Sequence, residues 1–70
     1  MMLLSKLEII DMVERIKILN NLGKVKQSDR LLELLEKGVV DPYVSDYIYY
    51  SDMSAEEIAD KVLSYKPIYL

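Results

Sequence analysis

Apolar residues recur every three or four positions in the first third of the chain, which is the spacing of one face of an α-helix. The series, with Met12 beside it, is Leu7, Ile10, Val13, Ile16 and Leu19. Ser5 and Glu8 precede it with the spacing of a capping box, in which each side chain bonds a free backbone N–H of the first turn. Asn20, Asn21 and Gly23 predict the end of this helix. We therefore expect a first helix with this series facing the core.

A second helix is predicted from Ser28 to Lys37, after a basic loop at residues 23–27, GKVKQ. Ser28 is expected to be its N-cap, and Gly38 is expected to take the left-handed conformation that often follows a last helical turn. The inward residues indicated by the spacing are Leu31, Leu34 and Leu35. Leu32 lies toward the edge of that stripe.

Pro42 interrupts the helical pattern and biases Asp41 toward extended geometry, so a turn is predicted there. Ser45 or Asp46 is then expected to cap a single-turn third helix over residues 47–50. A helix this short needs packing to hold it, and Ile48 is its predicted anchor in the core.

Ser54 and Glu57 repeat the capping-box spacing and predict a fourth helix, which Pro67 closes. Its expected inward residues are Ala55, Ile58, Ala59, Val62 and Leu63. The apolar tail at residues 68–70 is expected to fold back onto the bundle. Neither sustained alternation nor a hairpin signal favours a sheet. The prediction is an all-α fold, a small four-helix bundle with a single-turn third helix, in one domain over residues 1–70.

Composition narrows the function more than the fold. A chain of 70 residues has a thin core, and 51% apolar with 30% charged residues is typical of a folded domain. The absence of cysteine and histidine removes thiolate zinc sites and the commonest general base. We therefore expect no enzymatic activity, metal or other cofactor. The first residues lack a secretory or membrane-spanning run, so a cytoplasmic protein without a membrane partner is predicted.

The formal charge of −3 is unevenly distributed along the chain. Residues 1–28 carry five basic and three acidic side chains, whereas residues 29–60 carry nine acidic and two basic ones. Such a segment argues against nucleic acid as a ligand and favours a basic partner.

Within the acidic segment, residues 44–54 (VSDYIYYSDMS) hold three of the six tyrosines. Helical spacing places Asp46, Tyr49 and Tyr50 on one face, away from Ile48. One interpretation is that both tyrosines pack on neighbouring helices with their hydroxyls at the rim. The other is a binding face, because tyrosine is enriched at interface hot spots. The acidic residues of the second helix likewise fit either a solvated surface or part of that face.

The run DPYVSDYIYYSD, at residues 41–52, resembles the segment His-Pro-x-x-Ser-Asp-Leu-Ile-Tyr-Tyr-Pro of the immunity proteins of nuclease bacteriocins, the colicin and pyocin immunity protein family. The shared residues are Ser45, Asp46, Ile48, Tyr49 and Tyr50. Three positions depart from the segment: Asp41 replaces a frequent histidine, Tyr47 replaces an aliphatic residue and Ser51 replaces proline.

The resemblance implies a four-helix inhibitor that binds the nuclease domain of a cognate bacteriocin inside the producing cell and is a monomer when free. It implies a shared binding platform at Asp46, Tyr49 and Tyr50, with Ser45 beside them. It also implies that outward residues of the second helix select among toxins. A gapless count assigns this role to Asp29, Leu32, Glu33 and Glu36, with Lys37 as a further candidate. The alternative is an acidic helical adaptor or self-associating regulator without a toxin partner, whose tyrosines form a dimer interface.

Overall fold

The computed structural model describes residues 3–65, which form four α-helices. These are α1 (Lys6–Asn21), α2 (Val25–Lys37), α3 (Val44–Tyr49) and α4 (Ala55–Leu63). No strand occurs between residues 3 and 65, and no helix in that span is long and apolar enough to cross a bilayer. The predicted all-α fold with a short third helix is confirmed. The expected roles of Pro67 and of the tail at residues 68–70 lie outside the described residues.

Both predicted capping boxes are present. Ser5 Oγ accepts a hydrogen bond from the Glu8 backbone N–H with an N–O distance of 3.3 Å, and Glu8 Oε1 accepts one from the Ser5 N–H at 2.9 Å. Ser54 and Glu57 repeat this arrangement at the start of α4, at 3.2 and 3.0 Å. The backbone N–H groups of Ser5 and Ser54 stabilise the charged glutamates and so lower the pKa of Glu8 and Glu57.

The turn between α1 and α2 is tight and built around Gly23, which has a φ of 76°. The Lys24 N–H donates to the Leu19 carbonyl at 2.8 Å, and the Gly23 N–H donates to the Asn20 carbonyl at 3.1 Å. This pair of bonds is a Schellman motif, which satisfies the last carbonyls of a helix and favours glycine at the left-handed position. The predicted end of α1 is thus confirmed.

The start of α2 differs from the prediction, because the helix begins at Val25 and Ser28 lies inside it. The turn at Gly23 leads directly into α2, so residues 25–27 are helical and not part of a loop. Ser28 is fully buried, and its Oγ lies 2.7 Å from Asn20 Oδ1 and 2.9 Å from the Val25 carbonyl oxygen. Its hydroxyl therefore links α2 to α1 and does not cap a helix.

Gly38 follows α2 but has a φ of −96°, so the expected left-handed conformation is wrong. The reason for glycine is a close approach of the segment before α1. A Cβ atom at Gly38 would lie 2.5 Å from Leu4 Cγ, and the Leu4 N–H donates to the Gly38 carbonyl at 2.9 Å.

The core lies between α1, α2, α3 and α4 and contains buried apolar side chains from each of them. Its buried residues are Ile9, Val13, Ile16, Leu35, Val44, Ile48, Ile58, Ala59 and Val62. Ile48 is therefore the core anchor that its position predicted.

Three residues predicted to face the core are exposed: Leu7, Leu34 and Leu63. The prediction for Leu7 is wrong because the buried residue in the first turns of α1 is Ile9. Two positions along a helix correspond to a rotation of roughly 200°, so Leu7 points away from the core. Leu34 and Leu63 each stand one residue from a buried neighbour, Leu35 and Val62, and turn outward by roughly 100°. Ile10 and Leu19 of the predicted stripe are half-buried.

The third helix begins at Val44 with Tyr43 as its N-cap, so Ser45 and Asp46 lie within the helix and do not cap it. The predicted cap lies too late in the sequence, because the side chain of Asp41 bonds the backbone at the start of the helix. The carboxylate of Asp41 accepts a hydrogen bond from the Tyr43 N–H, which fixes the helix start before Ser45 is reached.

Candidate functional site

The short helix α3 is held to the bundle by its inner side and packs on both α2 and α4. Val44 is fully buried and Ile48 is 8% exposed, and these residues lie one turn apart. A helix of six residues does not hold itself together by backbone hydrogen bonds alone. Packing of these two side chains therefore determines which side of α3 is turned to solvent.

The outer side of α3 and its C-cap carry Asp46, Tyr49 and Tyr50, which we call the tyrosine face. The predicted helix ends at Tyr50, whereas the observed one ends at Tyr49 and Tyr50 is its C-cap. Asp46 is exposed, Tyr49 is 43% exposed and Tyr50 is 84% exposed. The Tyr50 N–H donates to the Asp46 carbonyl at 2.8 Å, so Tyr50 stands one turn beyond Asp46 on the same side. The interpretation in which both tyrosines pack against neighbouring helices does not hold for Tyr50. Ser45, which the resemblance places beside these three residues in the binding platform, is half-buried.

Asp41, which the sequence predicts only as a turn residue, lies under the start of α3. Its side chain is 2% exposed, and both of its oxygens are used. Oδ1 accepts from the Tyr43 N–H at 2.8 Å, and Oδ2 accepts from the Tyr47 hydroxyl at 2.9 Å. The bond to Tyr43 is an Asx-turn, which an aspartate before proline often forms, and this local signal was available in the sequence.

Tyr47 is the partner of Asp41 and connects α3 to α4. The ring is half-buried against the core, and Lys61 Nζ lies 5.5 Å from its centroid. Burial disfavours the phenolate, and the hydrogen bond to Asp41 adds to this effect, so the pKa of Tyr47 rises to about 12. Tyr47 thus packs on the core and helps to hold in place the helix that carries the tyrosine face.

Tyr43 is a further exposed aromatic residue beside the tyrosine face. It is 55% exposed and lies three positions before Asp46, a spacing that puts both side chains on the same side of a turn. The sequence-based prediction treated it as part of the turn after Pro42. The spacing from Tyr43 to Asp46 becomes informative only when the start of α3 is known, and the predicted start at residue 47 leaves Tyr43 outside the helix.

The predicted selecting residues of α2 separate into two groups. Asp29, Glu33 and Glu36 are exposed, whereas Leu32 is half-buried and packs partly on the core. A shallow depression on α2 brings basic side chains among them, and its lining residues are Lys26, Asp29, Arg30, Leu32 and Glu33. The surface of α2 is therefore of mixed charge near its start.

The acidic side chains of residues 29–60 do not contribute equally to the surface field. Asp41 is buried, while Asp60 and Glu56 lie 2.8 and 3.8 Å from Lys6 Nζ. The hydrogen bond to Asp60 raises the pKa of Lys6. The exposed acidic residues on the two helices in question are Asp29, Glu33, Glu36 and Asp46. Exposed negative charge is thus available on both α2 and α3, which contact each other.

A polar cleft lies between the end of α1 and the loop that follows α3. Its lining residues are Lys17, Asn20, Asn21, Ile48, Ser51, Asp52 and Met53. Lys17 Nζ donates to the Met53 carbonyl at 2.9 Å, so the lysine holds the loop in place. Within residues 3–65, no group of three or more histidine, cysteine, aspartate or glutamate side chains is arranged to hold a metal ion.

Compared with models of known protein families, with curated proteins and with solved structures, the chain matches none.

Proposed function

We propose that this protein is a bacteriocin immunity protein that binds the nuclease domain of a cognate colicin-like or pyocin-like toxin and inhibits it. The observation that carries the proposal is the tyrosine face. Two exposed tyrosines and an exposed aspartate stand on the outer side of a six-residue helix and its C-cap, and the inner residues of this helix lie in the core. They belong to the run that resembles the immunity-protein segment, and such immunity proteins use these positions as their platform.

The physical basis of inhibition is complementarity of charge and shape. A nuclease domain must be basic to hold nucleic acid, so exposed carboxylates on α2 and α3 would speed its encounter with this protein. Tyr49 and Tyr50 offer large, rigid apolar area at low entropic cost and would slow dissociation. A bound acidic protein beside the catalytic cleft then repels and obstructs the phosphate backbone.

The second helix is proposed to select the toxin. Asp29, Glu33 and Glu36 present side chains outward, and Leu32 offers the exposed part of a half-buried side chain. Lys26 and Arg30 stand among them, so the matching surface of the toxin would contain acidic groups surrounded by basic ones. The proposal also places the protein in the cytoplasm of the producing cell, as a monomer when free.

Substitution of the two tyrosines tests the proposed face. We expect Tyr49→Ala and Tyr50→Ala each to weaken binding of the nuclease domain by about 2–4 kcal/mol, because both anchors would be buried by the partner. Isothermal titration with the nuclease encoded by the neighbouring reading frame measures this loss, and circular dichroism checks that the helices persist. Leu7→Ala is the matched control, since Leu7 is 78% exposed and lies on α1.

Unchanged affinity in both tyrosine variants would refute the assigned face. Sedimentation across a range of concentrations addresses the alternative function, an adaptor or regulator that self-associates. A concentration-dependent dimer that disappears on Tyr49→Ala would replace the immunity proposal with that alternative.

A further inference from the structure

Two of the departures from the immunity-protein segment are in contact with each other. Asp41 replaces a frequent histidine and Tyr47 replaces an aliphatic residue, and the Tyr47 hydroxyl donates to Asp41 Oδ2 at 2.9 Å. The second carboxylate oxygen bonds the Tyr43 N–H at 2.8 Å. One buried carboxylate therefore joins Tyr43, the N-cap residue, to Tyr47 in the middle of α3.

This pairing compensates for a weakness of α3. The helix has six residues, and its N-cap Tyr43 makes no side-chain cap bond in the described structure. A charged acceptor bonds more strongly than a neutral one, and a buried carboxylate with both oxygens occupied is held in one orientation. Asp41 thus limits the movement of the helix start relative to the ring of Tyr47, which packs on the core.

The fixed helix start determines where Tyr43 stands. Its backbone N–H is bonded to Asp41, its carbonyl accepts from the Tyr47 N–H at 3.3 Å, and its side chain is 55% exposed. The spacing of three residues to Asp46 and of seven to Tyr50 places Tyr43 on the side of α3 that carries the tyrosine face.

We infer that Tyr43 is a third tyrosine of the binding face and a specificity-determining contact, and that Asp41 and Tyr47 are positioning residues that hold it there. This inference rests on the proposed function. The partner surface it fits bears arginine or lysine, because a cation can stack on the ring of Tyr43 while it pairs with the carboxylate of Asp46. The toxin would then contact Tyr43 in addition to the two tyrosines that this chain shares with the immunity-protein segment.

The test compares binding of the cognate nuclease domain to several single variants of the full chain. We expect Tyr43→Ala to weaken binding at least tenfold and Tyr43→Phe to retain most of the affinity, since the ring makes the contact. Asp41→Asn and Tyr47→Phe should each weaken binding severalfold, and the double variant should lose little more than the worse single variant. Tyr65→Ala is a control, because Tyr65 is a half-buried tyrosine outside α3.

Hydrogen exchange in the free protein provides a readout that does not depend on the partner. Asp41→Ala should speed exchange of the Tyr43 amide, and Asp41→Asn, which keeps one acceptor oxygen, should restore part of the protection. Exchange unchanged in Asp41→Ala would overturn the positioning role.

The outcomes separate this inference from the proposed function. If Tyr50→Ala weakens binding while Tyr43→Ala binds within twofold of the parent, Tyr43 is not a contact and only this inference fails. If the nuclease does not bind the parent chain, the immunity function fails and the contact role of Tyr43 fails with it.

Discussion

At the scale of single residues, Tyr47 shows how one side chain serves two neighbours. Its hydroxyl bonds Asp41, its ring packs on the core, and Lys61 lies above the ring. Burial of the ring and the bond to Asp41 favour the neutral phenol, since a phenolate would be partly desolvated and would face the carboxylate of Asp41. Its protonation is therefore linked to folding.

The raised pKa of Tyr47 predicts a loss of stability in alkali. The unfolded group titrates near pH 10 and the folded group at about 12, so its stabilising effect is complete below pH 10 and is lost as the pH rises toward 12. Urea unfolding at pH 9, 10, 11 and 12 measures this. The free energy of unfolding of Tyr47→Phe should fall less steeply over this range than that of the parent protein. An equal fall in both would contradict the link between Tyr47 protonation and folding.

Hydrogen bonds between residues close in sequence could be predicted, and those between separate elements could not. Ser5 and Ser54 cap as expected, because a capping box needs only residues three apart in sequence. Ser28 is predicted as an N-cap from its residue type and place alone, without a capping box, but its hydroxyl reaches Asn20 on another helix. Asp41 was read only as a turn residue, because its partner Tyr47 is identified by folding and not by spacing.

At the scale of elements, the four helices differ in how their ends are fixed. Capping boxes start α1 and α4, whereas α2 begins directly after the turn at Gly23 and α3 depends on Asp41. This explains the errors in the predicted boundaries: the starts of α1 and α4 were predicted from sequence, and those of α2 and α3 were placed too late.

Removal of one cap should have a measurable cost. Ser54→Ala takes away the acceptor for the Glu57 N–H, so we expect a loss of about 1 kcal/mol in the free energy of unfolding. Ser64→Ala is a comparison at the other end of α4, where Ser64 is the exposed C-cap and its hydroxyl donates to the carbonyl of Lys61 in the last turn. Chemical denaturation of both variants and of the parent measures these costs: a stability of Ser54→Ala equal to that of the parent would show that the Ser54 cap contributes nothing.

At the scale of the whole molecule, the fold was predictable because apolar periodicity and breaks between helices were clear. The orientation of α1 was less so, since apolar residues lie on several of its faces. Leu7 and Ile18 are exposed, while Ile9, Val13 and Ile16 are buried. The position of the tyrosine face could be predicted from spacing on α3, but its support by Asp41 required the folded chain.

The thin core makes single truncations severe. Ile9→Ala should lower the free energy of unfolding by about 2–5 kcal/mol, as for other fully buried aliphatic residues, out of a total of roughly 3–10 kcal/mol for a chain of this size. Leu7→Ala should change it by less than about 0.5 kcal/mol, because Leu7 is exposed. Thermal unfolding followed by circular dichroism compares the two, and a larger effect from Leu7 would contradict the observed orientation of α1.

The bond between Leu4 and Gly38 has a consequence for the order of folding. It joins residues 34 positions apart, whereas the turn at Gly23 pairs α1 with α2 through neighbours in sequence. Closure of a longer loop costs more entropy, so the α1–α2 hairpin is expected to form before the end of α2 is docked under Leu4. The segment that leads into α3 starts at that docked end, so the tyrosine face is expected to form late in folding.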